Sequence, residues 1–213
     1  MPTPSRSSFL DASRKLRADF EDARNNVPHR GSAGGEGEAV KKFYDDKKAS
    51  QTFIDHCITL CKFYLLLKEK YKTFTYTSKT ELWNNKDFDD LKPDAYIERT
   101  VEKKGNKKTE TITTHYLLDL FDAHVPRYAL RSRINQYIKL NDTYIYLKKE
   151  FPFVLLILPD EKKLKHLKRY IRIQFKEKYD LEDVSFSLTT HKEIMKQGFG
   201  QEIWETLREN DKN

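Results

Sequence analysis

The chain has 213 residues, of which 38% are hydrophobic, and its formal net charge is +7. This length and composition suffice for one core of ordinary size and exclude an intrinsically disordered chain. The excess of Lys and Arg permits an anionic partner without identifying it. No apolar run approaches the ~18 residues of a membrane span, and no signal-peptide core follows Met1, so we expect a cytoplasmic protein with no membrane partner.

The first 40 residues differ in composition from the rest of the chain. They contain five Arg and one Lys, whereas residues 41–213 contain 27 Lys and seven Arg. Residues 9–24 are compatible with a short charged helix, and residues 28–37 have the glycine-rich composition of a linker. We expect residues 1–40 to be an N-terminal segment and linker, either fused from another source or an ordinary variable terminus, and residues 41–213 to be the main domain.

Helical spacing of apolar residues dominates residues 49–71, which predicts a helix facing the core. Two of these residues, Cys57 and Cys61, lie four positions apart, where a disulfide has poor geometry, so a reducing compartment is expected. His56 is a third potential zinc ligand but points away from both sulfurs, and we interpret the cysteines as buried thiols instead of a metal site. The predicted core-facing positions are Phe53, Cys57, Leu60, Cys61, Tyr64 and Leu67.

Extended segments follow this helix. Residues 74–83 predict a short edge strand, residues 95–101 alternate as a strand, and residues 102–108 predict a turn. Residues 111–122 predict a strand with Asp119 near its middle, on the same face as His115, Leu117 and Phe121. Pro126 then starts a predicted helix over residues 127–140, and residues 144–147 either continue it or form a turn.

The last third of the chain predicts a buried strand and an amphipathic helix. Residues 153–158 form a continuous apolar run, typical of a central strand covered on both faces. Asp160 is a predicted cap for a helix over residues 161–178, whose expected buried residues are Leu164, Leu167, Ile171 and Phe175. A basic stripe runs along the other face at helical spacing, and it is the candidate contact for nucleic-acid phosphates or a solvated surface: Lys162, Lys165, Arg169, Arg172 and Lys176.

Three further elements complete the prediction, which is an α/β fold with a mixed central sheet flanked by helices. Residues 184–189 predict an alternating strand, residues 191–196 a helical turn, and the C-terminal residues a helix. The apolar residues of this final helix are Ile203, Trp204 and Leu207.

Three short motifs resemble those of a known family. They are Pro93-Asp94-Ala95, Asp119 within an apolar strand, and the basic segment from Arg131 to Tyr137, with His56 on the preceding helix. Together they resemble the replication-relaxation family of plasmids and conjugative elements, within the PD-(D/E)xK nuclease superfamily, over residues 50–205. The resemblance implies a restriction-endonuclease-like core.

The resemblance also implies a site and leaves its activity open. Asp94 and Asp119 are the implied catalytic and metal-binding acids for Mg²⁺, with Glu98 or Asp122 as additional ligands. The nuclease pattern has a Lys two residues after the second acid, where this chain has Phe121. Arg131 or Arg133 is the substitute cation, although a guanidinium stabilises charge and cannot act as a base.

Asp94 and Asp119 can be interpreted in two ways. In one they hold a metal; in the other Asp94 caps a turn and Asp119 pairs with Arg131 or Arg133. We therefore expect a DNA-binding accessory protein of a mobile element, in plasmid replication or conjugative transfer, on a nuclease-like scaffold without a full catalytic set. The alternatives are a Mg²⁺-dependent DNA endonuclease of a restriction or defence system and a protein–protein interaction module. Another protein of the same element is a second expected partner.

Overall fold

The computed structural model describes residues 50–209 except 85–90, 105–108, 148, 178–180 and 182. All elements below belong to the second of two units into which the chain divides, Ser50–Asn213. The predicted N-terminal segment and linker, and the centre of the predicted turn over residues 102–108, lie outside the described residues.

Six strands form one mixed sheet, and four α-helices accompany them in the described part of the chain. The strands are β1 (Thr75–Ser78), β2 (Ala95–Lys104), β3 (Thr109–Leu120), β4 (Phe153–Leu158), β5 (Ser185–Thr190) and β6 (Glu205–Arg208). The helices are α1 (Gln51–Lys70), α2 (Arg127–Tyr146), α3 (Glu161–Glu177) and α4 (His191–Gln197). Short 3₁₀ turns span Glu81–Asn84 and Gln201–Ile203. The predicted α/β class with a mixed sheet is confirmed.

The spatial order of the strands follows their order in sequence. Strands β1, β2 and β3 form an antiparallel meander, β4 and β5 add in parallel to β3, and β6 closes the sheet antiparallel to β5. The parallel strands are joined through helices, as parallel pairing requires. Strand β4 is therefore central, as predicted. Four of its six residues are buried, whereas Phe153 is exposed and Leu155 is half-buried, so the predicted cover on both faces is incomplete.

Helices cover both faces of the sheet. On one face, Leu130 of α2 and Leu167 of α3 belong to a core cluster that includes Leu156 of β4 and Leu188 of β5. On the other face, Phe63 of α1 and Ile194 of α4 belong to a second cluster with Leu118 and Ile157. The sheet thus separates two apolar cores, and side-chain alternation along β3 assigns each of its residues to one of them.

Several predicted helix features are confirmed. Helix α3 begins after Asp160, whose Oδ1 accepts a hydrogen bond of 2.8 Å from the backbone N–H of Lys163. All four predicted core residues of α3 are buried, and all five residues of the basic stripe are exposed. Helix α2 continues to Tyr146, which decides the alternative left open for residues 144–147.

Some predictions are wrong. Of the residues of α1 predicted to face the core, Leu67 is buried, Phe53 and Cys61 are exposed and the other three are half-buried. Phe63, which was not among them, is the other buried residue of the helix. The apolar positions of α1 spread around the helix, so spacing did not identify the covered side. Asp119 is the penultimate residue of β3, not its midpoint.

The ends of the sheet differ from the prediction as well. Every residue of β5 is buried, so this strand is covered on both faces and has no solvent side. The predicted final helix is instead a 3₁₀ turn followed by β6, in which Leu207 pairs with Phe186 of β5 and reaches the core. Alternation of buried and exposed residues in a four-residue strand is too short a pattern to be distinguished from one helical turn.

Candidate functional site

Two buried carboxylates meet at one end of the β2–β3 hairpin. The pairing of Ala95 with Leu118 brings the residue before β2 next to the last residues of β3. The backbone N–H of Asp94 donates to Asp119 Oδ1 at 3.2 Å, and the backbone N–H of Leu120 donates to Asp94 Oδ2 at 2.9 Å. Asp94 is 7% exposed and Asp119 is 3% exposed. The strand register therefore holds both predicted acids together and away from bulk water.

Asp119 is neutralised by a cation from α2. Arg133 donates to it through two nitrogens, from Nε to Oδ2 at 2.5 Å and from Nη2 to Oδ1 at 2.9 Å. The hydroxyl of Tyr137 donates to Oδ2 at 2.9 Å, and Arg133 Nη2 also donates to the carbonyl of Lys92 at 2.7 Å. With the Asp94 N–H included, each oxygen of Asp119 accepts two hydrogen bonds, so its capacity is filled.

The contacts with Asp119 shift the pKa values of its two partners on α2, Arg133 and Tyr137. Burial opposes the charge of Arg133, but the carboxylate of Asp119 outweighs it and raises the pKa of Arg133 above its usual value. Burial, together with the negative charge of Asp119, raises the pKa of Tyr137 well above its usual value. Arg133 therefore stays charged, and Tyr137 stays a neutral donor. The two lie four residues apart on one face of α2.

Asp94 has a different set of partners, from the opposite side of the sheet. Lys79 Nζ lies 3.4 Å from Asp94 Oδ1, and His56 Nε2 lies 3.4 Å from Asp94 Oδ2. The other ring nitrogen of His56, Nδ1, lies 2.8 Å from Asp122 Oδ2. His56 thus bridges two carboxylates, one before β2 and one after β3, and ties α1 to this end of the sheet.

The electrostatics of this bridge favour a charged imidazole. The hydrogen bond to Asp94 outweighs burial and, together with the charge of Asp122, raises the pKa of His56 above its usual value. Burial opposes the charge of Asp94, but its hydrogen bond to His56 and the charge of Lys79 hold the pKa of Asp94 below its usual value. At pH values above the pKa of Asp94 and below the pKa of His56, both groups are therefore charged and form an ion pair.

The loop after β3 is held by a lysine of α3. Lys163 Nζ donates to the carbonyl oxygens of Ala123 and Val125, each at 2.6 Å, and lies 3.5 Å from the carbonyl of Asp122. Three backbone carbonyls converging on one ammonium fix the path of the chain between β3 and α2. Lys163 thereby supports the position of Asp122 and, through it, the second contact of His56.

A cleft of about 840 Å³ lies beside these groups, and both acids, His56, Lys79 and Arg133 are among its lining residues. As arranged, the carboxylates do not fit a divalent cation. Both oxygens of Asp119 are occupied by donors, and a cation at this carboxylate would have to displace Arg133. No group of three or more His, Cys, Asp or Glu suited to a metal is present among the residues that the structure describes.

The remaining predicted site residues lie elsewhere. Arg131 does not reach Asp119: its Nε lies 3.2 Å from His166 Nε2, on the outer side of α2 and α3. Glu98 faces His115, at 3.5 Å, and not the acid pair. Of the four predicted catalytic residues, the structure brings Asp94, Asp119 and Arg133 together and separates Arg131 from them.

Lys79 was not named from the sequence, and His56 and Tyr137 were named as parts of the family resemblance, with no role at the site. Tyr137 lies four residues after Arg133, and this helical spacing is the sequence signal that could have identified it. His56 and Lys79 reach Asp94 across 38 and 15 positions of the chain, and no local pattern indicates such contacts.

The outer side of α2 and α3 carries concentrated positive charge. Burial and then the charges of Arg131, Arg127 and Arg169 lower the pKa of His166. Burial and the charge of Arg172 also lower the pKa of Lys168, which pairs with Glu205. Cations therefore stand close enough to His166 and Lys168 to lower the pKa of each. We call the five exposed residues of the stripe on α3, together with Arg131, the basic face.

No family model, curated protein or solved structure matches this chain. No helix within the described ranges is both long enough and apolar enough to cross a membrane.

Proposed function

We propose that this protein binds duplex DNA through the basic face, on a nuclease-like scaffold whose two acids serve structure instead of metal chemistry, as an accessory protein of a mobile element. The observation that carries the proposal is the exposed stripe of five cations on α3, which stands beside Arg131 of α2. Like charges at helical spacing repel one another, and phosphates relieve that repulsion. A polyanion is thus the ligand that this surface best accommodates.

The geometry of the stripe favours the DNA backbone over the bases. From Lys162 to Lys176 the stripe extends about 21 Å along the helix axis at ~1.5 Å per residue. Tyr170, the aromatic residue next to Arg169, is half-buried, with its ring 5.6 Å from the guanidinium of Arg131 and its hydroxyl donating to Asn135, so it is not presented as a stacking platform for unpaired bases. Contacts of this kind are ionic, weakly dependent on sequence and strongly dependent on salt.

The acid pair supports the second half of the proposal. Asp119 is bound to Arg133 through two hydrogen bonds and to Tyr137 through a third, which is the ion-pair alternative considered from the sequence. The mixed sheet, with both acids at adjacent strand ends, is what a nuclease-like scaffold is expected to keep after losing its metal. The finer assignment to a replication-relaxation protein is part of this proposal.

The test is duplex binding by fluorescence anisotropy with two unrelated sequences. Changing Arg169 and Arg172 to Glu should weaken both complexes alike by tenfold or more, and it should lower the slope of log affinity against log salt by about 2. The matched control changes Lys192 and Lys196 of α4 to Glu. It makes the same change in net charge on the opposite face of the sheet, where both lysines are exposed. If the α3 variant and the unaltered protein bind duplex DNA with equal affinity at low salt, the basic face is not the DNA-binding surface.

A Mg²⁺-dependent endonuclease is the alternative that one observation favours. Lys79 Nζ, on a side chain that is 55% exposed, lies 3.4 Å from Asp94 in the cleft, and it supplies a cation that the position of Phe121 lacks. Supercoiled plasmid incubated with Mg²⁺ or Mn²⁺ distinguishes the two functions. The DNA-binding proposal expects retarded but intact plasmid, whereas nicking that disappears in Asp94→Asn would establish the endonuclease.

A further inference from the structure

A second cavity, of about 190 Å³, lies on the sheet face that carries α1 and α4, away from the basic face. Its floor is the sheet itself. Leu155 belongs to the central strand β4, yet it is only half-buried, because the cavity lies over it. Central strands normally have their apolar residues covered, so the incomplete burial of Leu155 requires an explanation, and a bound ligand is one.

The walls are mostly apolar and aromatic, and they join distant parts of the chain. Trp204 and Phe199 line the cavity from the C-terminal segment, with their rings 6.0 Å apart. Tyr71, at the end of α1, donates its hydroxyl to the carbonyl of Phe199 at 3.0 Å. This hydrogen bond fixes one wall to the other, so the cavity is a formed part of the fold.

One charge enters this apolar space. Arg99 of β2 lines the cavity, and its guanidinium carbon lies 4.2 Å from the centroid of the Tyr71 ring. Among the residues whose side chains the structure describes, no carboxylate lies within ion-pair distance of Arg99, and no other residue that lines the cavity is charged. A half-buried guanidinium held against a ring, with unused donors on its edge, is arranged to receive a planar anion.

From these features we propose that the cavity binds a small aromatic monocarboxylate. An apolar cavity of ~150 Å³ accommodates a benzene ring, so this volume has room for one ring and a small substituent. It is below the ~300 Å³ of pockets for drug-sized ligands, which argues against a nucleotide or a peptide segment. A single cation balances one negative charge, which favours a carboxylate over a phosphate dianion. The ring packs over Leu155, and the carboxylate accepts two hydrogen bonds from Arg99.

Benzoate is the probe, and fluorescence of Trp204 is the signal. The chain has two Trp residues, so Trp83→Phe leaves Trp204 as the single reporter. Benzoate should change its emission in a saturable way, and benzamide, which has the same shape without the charge, should bind at least tenfold more weakly. Acetate, which lacks the ring, should give no change over the same concentrations.

Two variants and a control locate the binding. Arg99→Met should remove the preference for benzoate over benzamide, and Leu155→Phe should fill the floor of the cavity and abolish both. Lys72→Met removes an exposed cation near Tyr71 that does not line the cavity, and it should keep the preference. Circular dichroism establishes that each variant is folded.

Three results would overturn the proposal: equal binding of benzoate and benzamide to the unaltered cavity, no saturable signal, or a preference that persists in Arg99→Met. If Arg99→Met does not fold, the comparison of the two ligands on the parent protein still decides whether charge is required. Leu155→Phe then decides whether binding occurs in this cavity or at another surface.

Discussion

Replacing Asp119 by Asn tests whether the acid pair is structural or metal-binding. The substitution preserves the size of the side chain and removes its charge. Arg133, which donates to both carboxylate oxygens, is then left as a half-buried cation with no anion at hydrogen-bond distance. The Asn amide group also presents a donor to a guanidinium that has no acceptor.

The expected loss of stability follows from this uncompensated charge. Removing one partner of a buried ion pair costs about 3–5 kcal/mol, and the lower end applies because the Asn oxygen still accepts one hydrogen bond. A loss of about 3 kcal/mol corresponds to a fall of about 6–12 °C in Tm for a domain of ~150–250 residues. This figure includes loss of the hydrogen bond from Tyr137, because Tyr137 donates to Oδ2 of Asp119, the same oxygen that accepts from Arg133 Nε.

Urea denaturation and thermal melting, each with and without Mg²⁺, measure the effect. The control is Asp142→Asn, which neutralises an exposed carboxylate of the same helix as Arg133. A surface change of this kind should shift the free energy of unfolding by less than about 0.5 kcal/mol. The comparison separates the buried pair from any general effect of charge on α2.

The opposite result is specific to a metal site. Two carboxylates arranged to share a cation repel each other when it is absent, so Asp119→Asn would leave Tm unchanged or raise it. The unaltered protein would then also melt at a higher temperature with Mg²⁺. Either observation would refute the structural interpretation of Asp119.

Two further predictions concern the ends of the same cluster. The pKa of His56 is raised in the fold, so the stability it contributes is fully present below the unfolded value of about 6.5 and is lost as pH rises through the folded value. His56→Gln should therefore destabilise the protein more at pH 6 than at pH 9, as measured by urea denaturation at both pH values. Lys163→Met removes two 2.6 Å hydrogen bonds to backbone carbonyls, and we expect a loss of about 2 kcal/mol in the same assay.

Both variants have exposed counterparts as controls. His124→Gln changes an exposed histidine of the loop after β3 and, as a surface substitution, should leave the free energy of unfolding within about 0.5 kcal/mol in the same assay. Lys162→Met removes an exposed lysine next to Lys163 and should leave stability within about 0.5 kcal/mol. A His56→Gln variant with equal losses at both pH values would contradict the charged bridge, and a Lys163→Met variant as stable as Lys162→Met would contradict the loop contact.

Much of the core was predictable because its patterns are long. The twelve residues of β3 alternate over enough positions to place Leu117, Asp119 and Phe121 on one face, and the structure confirms this placement. Helix α3 shows the same principle, since seventeen residues with a clear apolar side leave no ambiguity about which face is buried. Where the pattern is four residues long, as in β6, a strand and a turn of helix look alike.

The partners of the acids were only partly predictable. Arg131 and Arg133 cannot both face Asp119, because residues two apart point about 200° apart around a helix at ~100° per residue. Local geometry thus reduces the two candidates to one, but it does not say which. The choice depends on how α2 rotates over the sheet, and burial of Leu130 and Ile134 decides that rotation.

The charges around Asp94 and Asp119 are a second argument, besides the hydrogen bonds of Asp119, that these acids are structural and do not bind a metal. Three carboxylates, those of Asp94, Asp119 and Asp122, are in contact with Arg133, Lys79 and His56. The three negative charges are balanced when the imidazole is protonated, which is the state that its raised pKa favours. A divalent cation added to this cluster leaves two positive charges in excess. It has to expel the proton of His56 and one further cation before it can be held. The fold therefore supplies from its own side chains the positive charge that a metal would bring.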